Sequence, residues 1–318
     1  MKRLMIAAML ACASIAQAAW PDRPVRIVAP DAPGGGGDII ARVLGDELGK
    51  IFGQPFPVEN RPGAGGRIAL ENVAHSAPDG YTLLVGNAGS NGINGAIYRD
   101  LPYDTVNAFT PISQIVQGPN ILVVNRTELP VATVAELIAY AKAHPGELNY
   151  GSGGPGSSAH LSMELFKQRA GIDMQHVPFR GASPMTLAVV QGETPVAFMN
   201  LSNVLPLIRR GEVTPIAVTS LQRWHDVPDV PTVDESGLKG FETIAWNGLL
   251  APAGLPREIV DKLHAAVVKI AQEPNLKEKA ELLGNEVVAS TPEEFAARIR
   301  ADVAKWRALV DATGLRLD

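Results

Sequence analysis

Four times along this 318-residue chain, a short apolar run ends in a loop of glycine and other small residues that then opens a helical pattern. Val25–Ala29 leads to Pro33-Gly34-Gly35-Gly36-Gly37-Asp38, and Thr82–Gly86 leads to Asn87-Ala88-Gly89-Ser90-Asn91-Gly92. Asn149-Tyr150 leads to Gly151-Ser152-Gly153-Gly154-Pro155-Gly156-Ser157-Ser158, and His176–Phe179 to Arg180-Gly181-Ala182-Ser183-Pro184. Strands alternating with helices through short loops confine the chain to α/β architectures, with parallel sheets covered on both faces.

Other segments fit this scheme. Ile39, Val43, Leu44, Leu48 and Ile51 recur at helical spacing over Ile39–Phe52, and Val134–Ala143, Ala159–Ala170 and Met185–Gln191 carry similar patterns. Phe56–Glu59, Ile121–Asn125, Asn149–Ser152, Pro195–Asn200 and Pro215–Thr219 are further expected strands. The C-terminal part reads as three helices, Pro256–Gln272, Asn275–Leu283 and Pro292–Thr313. Thr291 stands at the N-cap of the last, with Glu294 three residues on, the spacing of a capping box. About 300 residues exceed what one core usually supports, which points to two domains.

The N-terminus has the order of a secretory signal. Lys2 and Arg3 precede an apolar run from Leu4 to Ile15, and Ala16-Gln17-Ala18 offers small residues at the cleavage positions. Cleavage after Ala18 implies export to a periplasm. Cys12, the one cysteine, would leave with the signal, and Leu10 occupies a position where lipoprotein processing wants a small residue. The mature chain then has no thiol for disulfides, nucleophilic catalysis or metal ligation. Loss of Lys2 and Arg3 from 28 basic residues, against 33 acidic ones, leaves a net charge near −7. With no basic cluster along one face, nucleic acid is excluded as a partner.

The small-residue loops are the expected functional elements. Ligands of open α/β sheets bind beyond the carboxyl ends of the strands. There, glycine allows close backbone approach, and a helix N-terminus presents unpaired N–H groups carrying roughly half a positive charge. Such a site seats an anion without lysine or arginine. No loop has the lysine and Ser/Thr of a P-loop or the full spacing of a dinucleotide fingerprint, so a carboxylate is the expected occupant and no cofactor is implied. Gly63-Ala64-Gly65-Gly66 is the least typical loop and shapes the start of the next helix.

Catalysis and metal binding find no support. Ser157 and His160 lack an acid spaced to orient the imidazole and there is no G-x-S-x-G elbow, so Ser157 reads as a helix cap. The six histidines are scattered without ligand spacing.

Several longer motifs carry a resemblance. They are Trp20-Pro21-Asp22-Arg23-Pro24, Pro33-Gly34-Gly35 with Asp38, Val58-Glu59-Asn60-Arg61-Pro62-Gly63-Ala64-Gly65-Gly66 and Pro78-Asp79-Gly80-Tyr81-Thr82-Leu83-Leu84. Leu101-Pro102-Tyr103-Asp104, Val177-Pro178-Phe179-Arg180-Gly181, Val227-Pro228-Asp229-Val230-Pro231-Thr232 and Trp246-Asn247-Gly248 with Ala251-Pro252-Ala253-Gly254 follow in order. Together they resemble the solute receptors of tripartite tricarboxylate transporters, the Bug family of periplasmic binding proteins.

The resemblance implies a type II Venus-flytrap fold of two α/β domains, each a mixed, mainly parallel sheet flanked by helices, closing over one solute. Residues 19–120 with 244–318 would form one domain and 121–243 the other, with Gly118-Pro119 and Phe241–Trp246 as hinges. It also implies a ligand carboxylate held by backbone amides, hydroxyls and water, in a monomeric receptor without cofactor or metal. Carried over by position, the ligand-binding residues are Pro33, Gly34, Gly35, Asp38, Asn87, Ser90, Asn91, Ser152, Gly156, Ser157, His160, Arg180, Gly181, Ala182 and Asn200. The implied partner is a membrane permease, with a sensor-kinase ectodomain as the alternative and a periplasmic hydrolase as a remote one. Two positions depart from the family pattern. Asn200 stands where relatives often have aspartate, which argues against an amino group on the solute. Ala29-Pro30-Asp31-Ala32 replaces a more apolar run, and Asp31 is expected to be a solvated turn residue.

Overall fold

The computed structural model describes residues 20–316. Residues 1–18, expected from the sequence to be a secretory signal and including Cys12, lie outside this range.

The N-terminal part alternates strands and helices. Strands β1 (Arg26–Ala29), β2 (Val58–Asn60) and β3 (Thr82–Asn87) are joined through helices α1 (Gly36–Phe52) and α2 (Arg67–Ala74). A short π-helical turn (Ala88–Ile93) and α3 (Asn94–Ile97) follow, before β4 (Phe109–Val124). Next come α4 (Val134–Ala143), β5 (Asn149–Ser152), α5 (Ser158–Ala170), β6 (Gln175–Pro178), α6 (Ala182–Gln191), β7 (Val196–Asn200), α7 (Leu201–Arg209) and β8 (Thr214–Val218). The chain returns through β9 (Ile244–Pro252) and ends with α8 (Arg257–Ile270), α9 (Pro274–Leu282), β10 (Glu286–Val287) and α10 (Pro292–Thr313).

The strands form one curled, mixed sheet in the order β2-β1-β3-β9-β4-β7-β5-β6, with β8 and β10 also paired to β4. Its flanks are parallel, β2-β1-β3 on one side and β7-β5-β6 on the other. The centre is antiparallel, where β9 lies against β3 and β4, and β4 against β7 and β8. Parallel pairing alone, as expected from strand–helix alternation, therefore holds only at the flanks. The missed strand length is in β4 and β9. Apolar patterning marks only Ile121–Asn125 in this region; Pro111 and the expected hinge Gly118-Pro119 lie inside the observed strand, where proline is ordinarily disfavoured. In the fold the ladder between β4 and β9 absorbs Pro111 at a register shift and continues through Pro119, opposite Ile244.

β4 serves both halves of the sheet. It pairs with β9 from Phe109 to Pro119, and from Asn120 onward with β7 and β8.

Each half has its own core. In one, α1 buries Ile40, Ala41, Leu44 and Leu48 against Ile27 and Leu83. Leucines fully buried in this way each stabilise the fold by about 1.5–3 kcal/mol. In the other half, Phe166, Phe198 and Phe241 pack with ring centroids 5.9 to 6.3 Å apart. Helix α10 touches both halves: Phe295, Ile299 and Val303 join Trp246 and Leu84, whereas Trp306, Leu309 and Val310 join the cluster around Phe166. It begins with the expected capping box at Thr291 and Glu294.

Candidate functional site

The strand-end loops of the two halves face each other across a cleft of about 580 Å³. Asp31, Gly34 to Gly37 and Asn87 line one wall; Ser158, Ala182, Ser183 and Asn200 line the other. Gly118, Pro119, Ala245 and Asn247, where the central strands change partners, lie between them. A second cavity of about 320 Å³ shares Asn87 and Gly89 and adds Ser90, Gly156 and Ser157.

What the cleft offers chemically follows from the helix starts around it. α1 begins after Gly35, α6 after Gly181 and α7 after Asn200, and none of these N-caps makes a side-chain capping bond. Gly181 has φ 109°, a left-handed value that disfavours any residue with a Cβ. Two further helical starts carry side-chain caps. Ser157 accepts a hydrogen bond from the His160 N–H at 3.3 Å, and Asn87 accepts one from the Ser90 N–H at 2.8 Å. Ser157 is thus a helix cap, as its position in the sequence suggests. Among the described residues, no lysine or arginine lines either cavity. The groups there that can attract an anion are therefore the peptide dipoles at the helix starts.

The structure sorts the sequence-derived site residues into three groups. Gly34, Gly35, Asn87, Ala182 and Asn200 line the main cleft, and Ser90, Gly156 and Ser157 line the second cavity. Asp38, Asn91, Ser152 and His160 lie buried behind these walls. Pro33 and Arg180 are exposed and Gly181 half-buried, and none of the three lines a cavity.

The buried group shapes the loops. Asp38 accepts hydrogen bonds from the Gly34 N–H at 2.8 Å, Arg42 Nε at 3.0 Å and Asn60 Nδ2 at 2.8 Å. Burial alone would raise its carboxyl; the bonds from Arg42, Gly34 and Asn60 outweigh that and hold it below the ordinary carboxylate range. Ser152 Oγ lies 2.6 Å from His176 Nε2, and the Gly156 N–H donates to His160 Nδ1 at 3.1 Å. The His160 and His176 rings stack with centroids 4.0 Å apart. Burial, aided by the neighbouring His176, lowers His160 to about 4, so the ring is neutral at pH 7.

Asp31 differs from expectation. It is half-buried rather than solvated, lines the main cleft, and its Oδ2 is buried without a hydrogen-bond partner. A Cβ on Gly37 would come within 2.2 Å of that oxygen and 3.0 Å of Asn247 Nδ2, so the bare Cα of Gly37 makes the room. Burial pushes the Asp31 carboxyl above its ordinary range; the Asn87 side chain offsets part of this rise, and the negative charge of Asp38 adds to it. Asn247 and Asn285 are cleft residues that sequence reasoning did not select. The first sits in the Trp246-Asn247-Gly248 motif, which was a signal; the second, after Gly284, had none.

Residues 40–315 match the family described as the tripartite tricarboxylate transporter family receptor. The chain belongs to this family. Tripartite tricarboxylate transporter receptors are periplasmic solute-binding proteins, and the family and its structural neighbours are receptors rather than enzymes. The chain is similar to a UPF0065 protein of Bordetella pertussis, 36% identical over 275 residues, covering 86% of this chain and 84% of the relative. Protein BugT of the same organism is 33% identical over 299 residues, covering 94% and 91%. Among solved receptors, an R. palustris protein with adipate is 37% identical at a TM-score of 0.81, covering 93% of this chain and 98% of the other. MatC from Rhodopseudomonas palustris with bound malate is 35% identical at a TM-score of 0.79, covering 92% and 100%. The periplasmic binding protein BugD is 32% identical at 0.78, covering 93% and 99%. These likenesses give the receptor fold that the sequence motifs implied.

Proposed function

We propose that this receptor is exported by residues 1–18 and closes over one small mono- or dicarboxylate, which it passes to a tripartite tricarboxylate-type permease. Residues 19–120 with 244–318 act as one lobe and 121–243 as the other, turning about Gly118-Pro119 and Phe241–Trp246. The ligand shifts an open–closed equilibrium through its tighter binding to the closed form.

The observation that carries this reading is the set of uncapped starts of α1, α6 and α7, facing one cleft that no basic side chain lines. Peptide N–H groups there can bind carboxylate oxygens, while Asn87 and Asn200 offer amides to the rest of the solute. Adipate and malate in two similar receptors make organic acids the natural class to try.

The test is a thermal-shift screen of organic acids and amino acids, followed by calorimetry on each hit. A ligand at a hundredfold excess over its Kd stabilises by about 2.7 kcal/mol, readily seen as a rise in Tm. If no carboxylate shifts the melt while neutral or purely cationic solutes do, the proposal is wrong.

A further inference from the structure

Four asparagines line the main cleft with their amides free. Asn200 and Asn203 stand a turn apart at the start of α7, and Asn247 and Asn285 line the cleft from β9 and from the turn before β10. The first two are exposed and the other two half-buried; among the described residues, none of the four amides has a partner in the fold or an atom sealed from solvent. Asn87 differs, because its Oδ1 is taken by the Ser90 N–H at 2.8 Å and its side chain also supports Asp31. An amide presents two N–H donors and one carbonyl acceptor. A plain alkyl chain can use neither. A second carboxylate can use only the donors, and it adds a charge that neutral amides do not balance. In either case the carbonyl oxygens lose water as the cleft closes without gaining a donor, which weakens binding. A hydroxyl answers both needs: it donates to the carbonyl and accepts from the N–H.

We propose that the solute is a polyhydroxylated monocarboxylate, of the sugar-acid class. Its carboxylate lies at the uncapped helix starts, and its hydroxyls pair with the amides of Asn200, Asn203, Asn247 and Asn285. Two of these amides come from each proposed lobe, so closure brings both pairs onto one hydroxylated chain. Ser158 and Ser183 add neutral hydroxyls to the wall that carries Asn200. The proposal rests on the carboxylate-receptor reading above and narrows it to one class of acid.

Calorimetry on the whole receptor with acids matched in chain length tests it: threonate against butyrate and succinate, xylonate against pentanoate and glutarate, and gluconate and galactonate against hexanoate and adipate. A site built to hydrogen-bond hydroxyls discriminates strongly against analogues that lack them. At least one hydroxylated acid should therefore bind tenfold or more tightly than both of its matched acids. Leucine has nearly the shape of asparagine without its polar atoms, so Asn200→Leu or Asn247→Leu should cut that ratio at least fivefold. Neither amide has a partner in the fold to lose, so the ligand-free melting temperature should hold, which separates lost recognition from misfolding. Equal or tighter binding of a plain acid or dicarboxylate in every set overturns the proposal while leaving the carboxylate reading intact. A ratio cut less than fivefold in both variants also overturns it. No binding by any member of any set, nor by any other carboxylate, overturns both readings.

Discussion

His160 should make the receptor acid-sensitive by a predictable amount. Its ring is 3% exposed, stacked on His176, and accepts the Gly156 N–H through Nδ1. Folding lowers its pKa from 6.5 to about 4. Above pH 6.5 both the folded and the unfolded chain carry a neutral ring, and the stability is fully present. As the pH falls below that value the unfolded chain takes up the proton first, so acid favours unfolding. The loss reaches about 2.5 kcal/mol at pH 4.5 and approaches about 3.4 kcal/mol well below pH 4, as orders of magnitude. Asparagine at this position keeps an acceptor near Nδ1 but cannot titrate. His160→Asn should therefore cost about 1–3 kcal/mol at neutral pH, through the lost ring, yet lose less stability than the wild type on acidification. Urea melts of both proteins at pH 7.5 and 4.5 measure the difference, with the carboxylates common to both cancelling. An equal loss in both proteins would show that His160 takes up its proton freely in the folded state, and the burial argument would fail.

Two other substitutions probe the cleft and its support. Gly37→Ala places a methyl 2.2 Å from Asp31 Oδ2 and must displace that carboxylate within the cleft wall, so calorimetry should show weaker binding of the carboxylate ligand. Unchanged affinity would mean that this part of the wall does not shape the binding site. Asp302 is buried and accepts from Trp246 Nε1 at 2.7 Å while pairing with Arg298 and Lys305. Asp302→Ala should lower stability by about 3 kcal/mol in urea melts, since it strands a buried indole N–H and two partly buried cations; a loss under 1 kcal/mol would contradict that view.

Much of the fold was legible because it is local. Val25–Ala29, its glycine loop and the helix after it follow from an apolar run, small residues and helical spacing within thirty positions. The continuous β4 was not, because Pro111 and Pro119 look like breaks unless the partner strand β9, more than a hundred residues away, is already in place. The site was legible as a set of backbone positions, with Gly34, Gly35, Ala182 and Asn200 brought together as their loops suggested. Side-chain direction was not legible. Asp38 turns away from the cleft to hold Gly34 and Asn60, while Asp31 turns inward, and the bare Cα of Gly37, six positions along, leaves the space.

The cleft divides its labour between main chain and side chains. Every residue but proline carries a peptide N–H, so on the proposed reading the means of gripping a carboxylate belongs to the shape of the loops. On that reading selectivity would rest with the few side chains, such as Asn200, that line the cleft between them. Substitutions at those positions can retune which acid is carried without dismantling the grip. Two receptors with the same loops can thus serve different nutrients.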